Sequence, residues 1–98
     1  MNREQLTSRS EIYLRELMLA NLPPRTPVFL FGSRARGDGR WNSDFDIWID
    51  ADVDSSTLSR LAEALEESFV PFHVDFVTTR QLTGHFGAAV RKEAKQWI

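Results

Sequence analysis

Asp44 and Asp46 stand two residues apart in a run where Phe45, Ile47 and Ile49 alternate with Asp44, Asp46, Trp48 and Asp50. Successive side chains of a strand point to opposite faces, so the two carboxylates share a face, with Cα atoms roughly 6.5–7 Å apart. Oxygen ligands at that separation can converge on one magnesium ion or bracket two. Paired ions about 3.5–4 Å apart stabilise the entering and leaving oxygens of an in-line phosphoryl displacement. Upstream, Gly32-Ser33 closes the apolar run Val28-Phe29-Leu30-Phe31. Glycine lets the backbone approach a phosphate, Ser33 adds a hydroxyl and a cap, and the amides that open such a turn or short helix attract anions. Arg34 and Arg36 follow at once. Either they add charge to the phosphate cradle, or they pair with Asp38 and other surface acids. Two carboxylates alone repel a triphosphate, and a metal between them reverses that balance.

Two competing motifs fail on residues. A P-loop needs Gly-Lys followed by Ser or Thr, and residues 32–39 contain no lysine. An EF-hand starting at Asn42 needs glycine at its sixth position and glutamate at its twelfth, where Ile47 and Val53 stand. His73 and His85 lack metal-ligand spacing and read as surface residues. Trp41 reads as a loop aromatic packed on its own domain, with base stacking as the alternative. Trp48 shares the aspartate face, so it either covers the sheet or lines a substrate or partner surface. Asp50 on the same face reads as solvated.

The elements that must position these groups follow from periodicity. Residues 3–20 predict a helix with Leu6, Ile12, Tyr13, Leu17 and Ala20 as its apolar stripe, stopped at Asn21-Leu22-Pro23-Pro24. Residues 28–31 and 45–50 predict strands. Asp54-Ser55-Ser56 offers N-caps for a helix to about residue 69, striped by Leu58, Leu61, Ala62, Leu65 and Phe69. After Pro71, residues 72–78 predict a third strand, with Val74 and Phe76 on one face and His73, Asp75 and Val77 on the other. From residue 83 or 86 to 97 the stripe Phe86, Val90, Ala94 and Trp97 predicts a last helix, weakened at its start by Gly84 and Gly87. The expectation is a small sheet with helices packed on one face, of α/β (α+β) class, and a single domain over residues 1–98.

Composition bounds the rest. Forty-two per cent hydrophobic and 11% aromatic residues suffice for a core. A net charge of -2 argues against holding nucleic acid by charge alone, so no direct DNA binding is expected. With no cysteine, disulfides and thiolate metal sites are excluded. The first residues lead into an amphipathic pattern rather than an apolar signal core, and no run approaches the roughly 18 apolar residues of a membrane span. A cytoplasmic protein without membrane attachment is the expectation.

Gly32-Ser33, ten residues, then Asp44-Phe45-Asp46 resembles the Gly-Ser…Asp-x-Asp signature of the DNA polymerase beta-like nucleotidyltransferase superfamily. The wording Gly-Ser-Arg-Ala-Arg-Gly and the short chain look most like its minimal nucleotidyltransferases, the MNT or MntA-like group. The resemblance extends to Val74-Asp75-Phe76-Val77, which matches the strand of the family's third carboxylate. It implies the nucleotidyltransferase fold, Asp44, Asp46 and Asp75 as catalytic metal ligands for a two-ion Mg2+ site, and Gly32 and Ser33, with Arg34 and Arg36, at the triphosphate. In the wider family the third carboxylate helps a metal or acts as base toward the acceptor hydroxyl. The implied reaction moves a nucleoside monophosphate, AMP from ATP by resemblance, to a hydroxyl with release of pyrophosphate. Larger relatives use an extra helical domain for the acceptor or base, for which this chain has no room. The resemblance therefore also implies a HEPN-domain protein partner in a toxin–antitoxin pair. A non-catalytic binding module that neutralises such a partner is the second reading, and a homodimer anchored by Trp48 or Trp97 a further option. The acceptor stays open among a protein tyrosine, an RNA end and a small molecule.

Overall fold

The computed structural model describes every residue from Met1 to Ile98. In chain order the elements are α1 (Arg3–Asn21), β1 (Val28–Phe31), α2 (Gly32–Arg36), β2 (Phe45–Ile49), α3 (Ser55–Glu66), β3 (Val74–Thr78), a 3-10 turn (Thr79–Gln81), α4 (Gly84–Glu93) and β4 (Lys95–Gln96). The class is α+β, with a four-stranded mixed sheet. No helix is long and apolar enough to cross a membrane. The chain forms two compact units, Met1–Arg25 with Asp54–Pro71, and Thr26–Val53 with Phe72–Ile98.

In the first unit α1 opens with a capping box in which Asn2 Oδ1 accepts the Gln5 N–H and Gln5 Oε1 accepts the Asn2 N–H. Its buried line is Ser10, Leu14 and Met18, spaced i, i+4, i+8. The predicted stripe therefore needs correction, because Ile12 is 57% exposed and Ala20 also faces outward. A polar residue within the buried line hid it from hydropathy. Ser10 is accommodated because its hydroxyl donates back to the Leu6 carbonyl at 2.8 Å. Tyr13 stands edge-on to Phe69 and donates its hydroxyl to the Ala64 carbonyl. Asp54 caps α3 by accepting the Thr57 N–H at 2.8 Å. That helix buries Leu61 but turns Ala62 outward, and it ends at Glu66, leaving Phe69 beyond it exposed.

The second unit is built on the sheet, ordered β3-β2-β1-β4. β2 and β3 are parallel, while β1 is antiparallel to both β2 and β4. Register places Phe31 beside Asp46 and Asp46 beside Asp75; one step along, Phe29, Trp48 and Val77 form the neighbouring row. One face of the sheet thus has a carboxylate row next to an apolar row. Leu82 and Val90 close over the apolar row with Phe31 and Trp48, and Phe29, Val77 and Ala94 pack against this cluster.

Two expectations change here. Trp48 is only 6% exposed, stacked on Phe29 with ring centres 4.5 Å apart, and its indole N–H donates to Thr79 Oγ1. It is a core residue, so it neither lines a substrate or partner surface nor anchors a dimer. The last helix also stops at Glu93 instead of reaching residue 97. Ala94 turns to ψ 138°, and Lys95 and Gln96 pair with Leu30 and Phe29. The Val28 carbonyl then accepts the N–H groups of both Trp97 and Ile98. β1 has an open edge at this point, and filling its ladder satisfies backbone groups that another helical turn would have left unpaired.

Candidate active site

The site lies within the second unit and begins where β1 becomes α2. Gly32 has φ +71°, which a side-chain-bearing residue adopts only with strain. It is also tightly enclosed: a Cβ there would stand 2.3 Å from Asp46 Oδ2. The backbone consequently runs directly against the carboxylate of the neighbouring strand. Gly32 donates its N–H to Glu93 Oε1 at 2.9 Å. The helix that follows is five residues long and closes on Gly37, also left-handed, whose N–H reaches the Ser33 carbonyl. Gly39 passes so close to Ser33 that a Cβ at 39 would lie 2.7 Å from the Ser33 hydroxyl.

The loop between α2 and β2 is fixed by Arg34. Its guanidinium lies over the rings of Phe45 and Phe72, 4.1 and 4.8 Å from their centres. From there it donates to the carbonyls of Trp41 and Ser43. Trp41 stands edge-on to Phe72, in line with its reading as a loop aromatic packed on its own domain. Arg34 therefore sets the chain immediately before Asp44. Arg36 binds Asp38 at 2.9 Å and Glu93 at 2.8 Å. Of the two readings of these arginines, pairing with Asp38 is what Arg36 does.

Among the three aspartates, Asp46 is half-buried and pairs in register with Asp75. Burial raises its pKa, and the like charges of Asp75, Asp44 and Glu93 raise it further. Asp44 and Asp75 are exposed, and with His73 they form a group whose ligand atoms all lie within 4.8 Å of one another. His73 Nε2 is 2.9 Å from Asp75 Oδ1. The arrangement has three carboxylates at the parallel β2–β3 pair, one of them with a pKa raised by burial and by its charged neighbours. Such a donor set suits a hard divalent cation, whose charge would relieve the repulsion.

Of the carboxylates named from sequence, Asp44 and Asp75 come within ligand distance of one another, and Asp46 stands in register beside Asp75. Sequence reasoning set His73 aside as a surface residue and left out two further contributors. His73, just before β3, stands i, i+2 from Asp75 as Asp44 does from Asp46, and that spacing was the available signal. Gly39 follows Asp38 in a glycine-rich turn that already marked close backbone approach. Glu93 carried no local signal, since it lies 61 residues from the amide it binds.

A mixed sheet with carboxylates from adjacent parallel strands, beside a glycine turn into a short helix, defines a nucleotidyltransferase. The chain belongs to the family described as polymerase beta, nucleotidyltransferase, whose model matches residues 18–97. It is 33% identical over 91 residues to a protein from Haemophilus influenzae named "Probable protein adenylyltransferase MntA", a match covering 90% of this chain and 80% of the relative. A crystal structure of a toxin–antitoxin with AMP-PNP superposes with TM-score 0.70 at 30% identity, over 89% of this chain and 72% of that one. The tri-AMPylated HEPN toxin of Shewanella oneidensis in complex with MNT antitoxin matches with TM-score 0.59 at 26% identity, over 92% of this chain and 71% of that one.

Proposed function

We propose that this nucleotidyltransferase uses magnesium to transfer AMP from ATP to a hydroxyl on a HEPN-type protein partner in the cytoplasm, as the antitoxin half of a pair. The observation that carries the reading is the grouping of Asp44 and Asp75 with Asp46 in register beside Asp75 on the parallel β2–β3 pair, and Gly32 against Asp46. The naming of the similar proteins for adenylyl transfer and for a HEPN toxin supports the donor and the partner.

In this reading Asp44, Asp46 and Asp75 would hold magnesium as a two-ion site, which when bound would supply charge stabilisation to the phosphoryl transfer. The chain's own residues do the rest. Ser33 and the backbone that follows Gly32 orient the triphosphate at the turn. Asp75, with the His73 imidazole at 2.9 Å, would take up the acceptor hydroxyl's proton or help hold a cation. Asp46, crowded among like charges, binds a cation in preference to remaining ionised and bare. Arg34 contributes by fixing the loop that presents Asp44, rather than by spending its charge on phosphate.

The test is incubation of the protein with ATP labelled at the α-phosphate, magnesium and the candidate HEPN partner. Wild type is expected to label the partner and release pyrophosphate, whereas Asp44→Asn/Asp46→Asn loses at least about 10²-fold in rate. Equal labelling by the double variant would show that the carboxylates do not carry the reaction.

A further inference from the structure

We propose that Glu93 is the positioning residue of the triphosphate-binding turn, a role that rests on the nucleotidyltransferase mechanism above and extends it to α4. Its carboxylate grips α2 at both ends: Oε1 accepts the N–H of Gly32, the first residue of that helix, and Oε2 accepts from Nη1 of Arg36, the last. α2 needs such a grip. Five residues are far too few for a helix to hold itself together, and Phe31, at its N-cap position, supplies no side-chain hydrogen bond. The bond that closes the N-terminus comes instead from a distant element.

Glu93 is well placed to act as a fixed clamp. The chain is anchored just before it by Val90, 2% exposed in the core cluster, and just after it by Lys95, paired with Leu30. Its backbone is therefore held in place before the two bonds form. The clamped residue is also the one whose position matters most at the site. Gly32 lies so close to Asp46 that even a methyl group does not fit between them. Any loosening of Gly32 shifts the turn relative to the metal-binding carboxylate. The clamp has an electrostatic cost, since it brings a fourth negative charge into the field of Asp46. A cost of that sign, at a site that must bind a polyanion, is explicable where the carboxylate sets geometry.

Because Glu93 already takes the Gly32 N–H, the triphosphate meets the turn through Ser33 and the amides beyond it. Glu93 thus acts through the turn and makes no contact with nucleotide itself. Losing a charge-assisted hydrogen bond of this kind is expected to weaken binding of a non-hydrolysable ATP analogue with magnesium by about tenfold in Glu93→Ala. Glu93→Gln, whose amide oxygen can still accept the Gly32 N–H, is expected to fall between that variant and wild type. In steady state the KM for ATP should rise in the same order, with the KM for the acceptor unchanged. The Gly32 amide proton resonance should move upfield in Glu93→Ala and recover in part in Glu93→Gln. Calorimetric titration of the three proteins with the analogue, alongside the amide spectra, decides the matter. Unchanged analogue affinity in Glu93→Ala would overturn the clamp while leaving the nucleotidyltransferase mechanism standing. Tighter binding would overturn it too, marking Glu93 as an anion that competes with phosphate. If wild type binds no analogue, the mechanism and the clamp fall together.

Discussion

Gly32 and Asp46 are fitted to one another, and neither can change without a penalty that measurement can read. A methyl at position 32 would meet Asp46 Oδ2 at 2.3 Å on a backbone already at φ +71°. Gly32→Ala is therefore expected to cost about 1–3 kcal/mol in denaturant unfolding and to weaken nucleotide binding at the same time. Asp46→Asn separates function from stability in the opposite direction. The folded state raises the Asp46 pKa above the ordinary value near 3.8, so the native protein holds this proton more tightly than the unfolded chain. Its favourable contribution is complete below that ordinary value and is lost as pH rises through the raised one, leaving a destabilising charge at neutral pH. Without metal at pH 7, Asp46→Asn should melt higher than wild type, with the gain closing as the pH approaches 3.8. The same variant should transfer no nucleotide above background. A melting temperature lowered at pH 7 would contradict the crowding of carboxylates. At this scale the sequence was readable for Asp44 and Asp46, whose i, i+2 spacing stands inside a recognisable motif, but not for His73, whose like spacing to Asp75 stands outside one. It was unreadable where the partner is remote, as Glu93 is from Gly32.

At the scale of elements, the apolar cluster around Trp48 and the carboxylate row share one face of the sheet, so the packing of α4 bears on both. Gly87 shows how closely that helix is set. A Cβ there would stand 2.4 Å from the Leu82 carbonyl carbon and 2.5 Å from its oxygen, backbone atoms that cannot rotate away. In sequence the residue looked like a weakness in the helix; in the structure it is what lets the helix pass. Gly87→Ala is expected to destabilise by about 1–3 kcal/mol despite the higher helix propensity of alanine. Gly84→Ala, with open space around its Cβ and only φ +59° to oppose it, should cost about 1 kcal/mol. Chemical denaturation of both variants checks the order, and a stabilised Gly87→Ala would refute the close approach. The same contrast explains which elements were legible. β1, β2 and β3 announce themselves by apolar runs and alternation. β4 is two polar residues, Lys95 and Gln96, with no pattern of its own, and it exists through pairing with Phe29 and Leu30. The buried line of α1 runs through Ser10, which a search for apolar residues passes over.

For the whole molecule, the open question is whether a partner is controlled by chemistry or by occupancy. The proposed donor half rests on a glycine turn packed against Asp46, carboxylates that could hold a metal, and a histidine beside the third of them. A binding module would need none of these, and would gain nothing from keeping Asp46 half-buried among like charges with its pKa raised. The two readings diverge in one variant. Asp44→Asn/Asp46→Asn removes two charges without altering volume or any buried apolar contact, so the fold and any surface that grips the partner should survive. If neutralisation is catalytic, cells carrying a toxic HEPN partner should grow with wild type and fail to grow with the double variant, although the two proteins still copurify with the partner. The partner recovered beside wild type should be heavier by one or more adenylyl groups in intact-mass spectrometry, and unmodified beside the variant. Full growth rescue by the double variant, with no mass shift on the partner, would mean that occupancy suffices. The carboxylates would then serve some acceptor other than the protein they accompany.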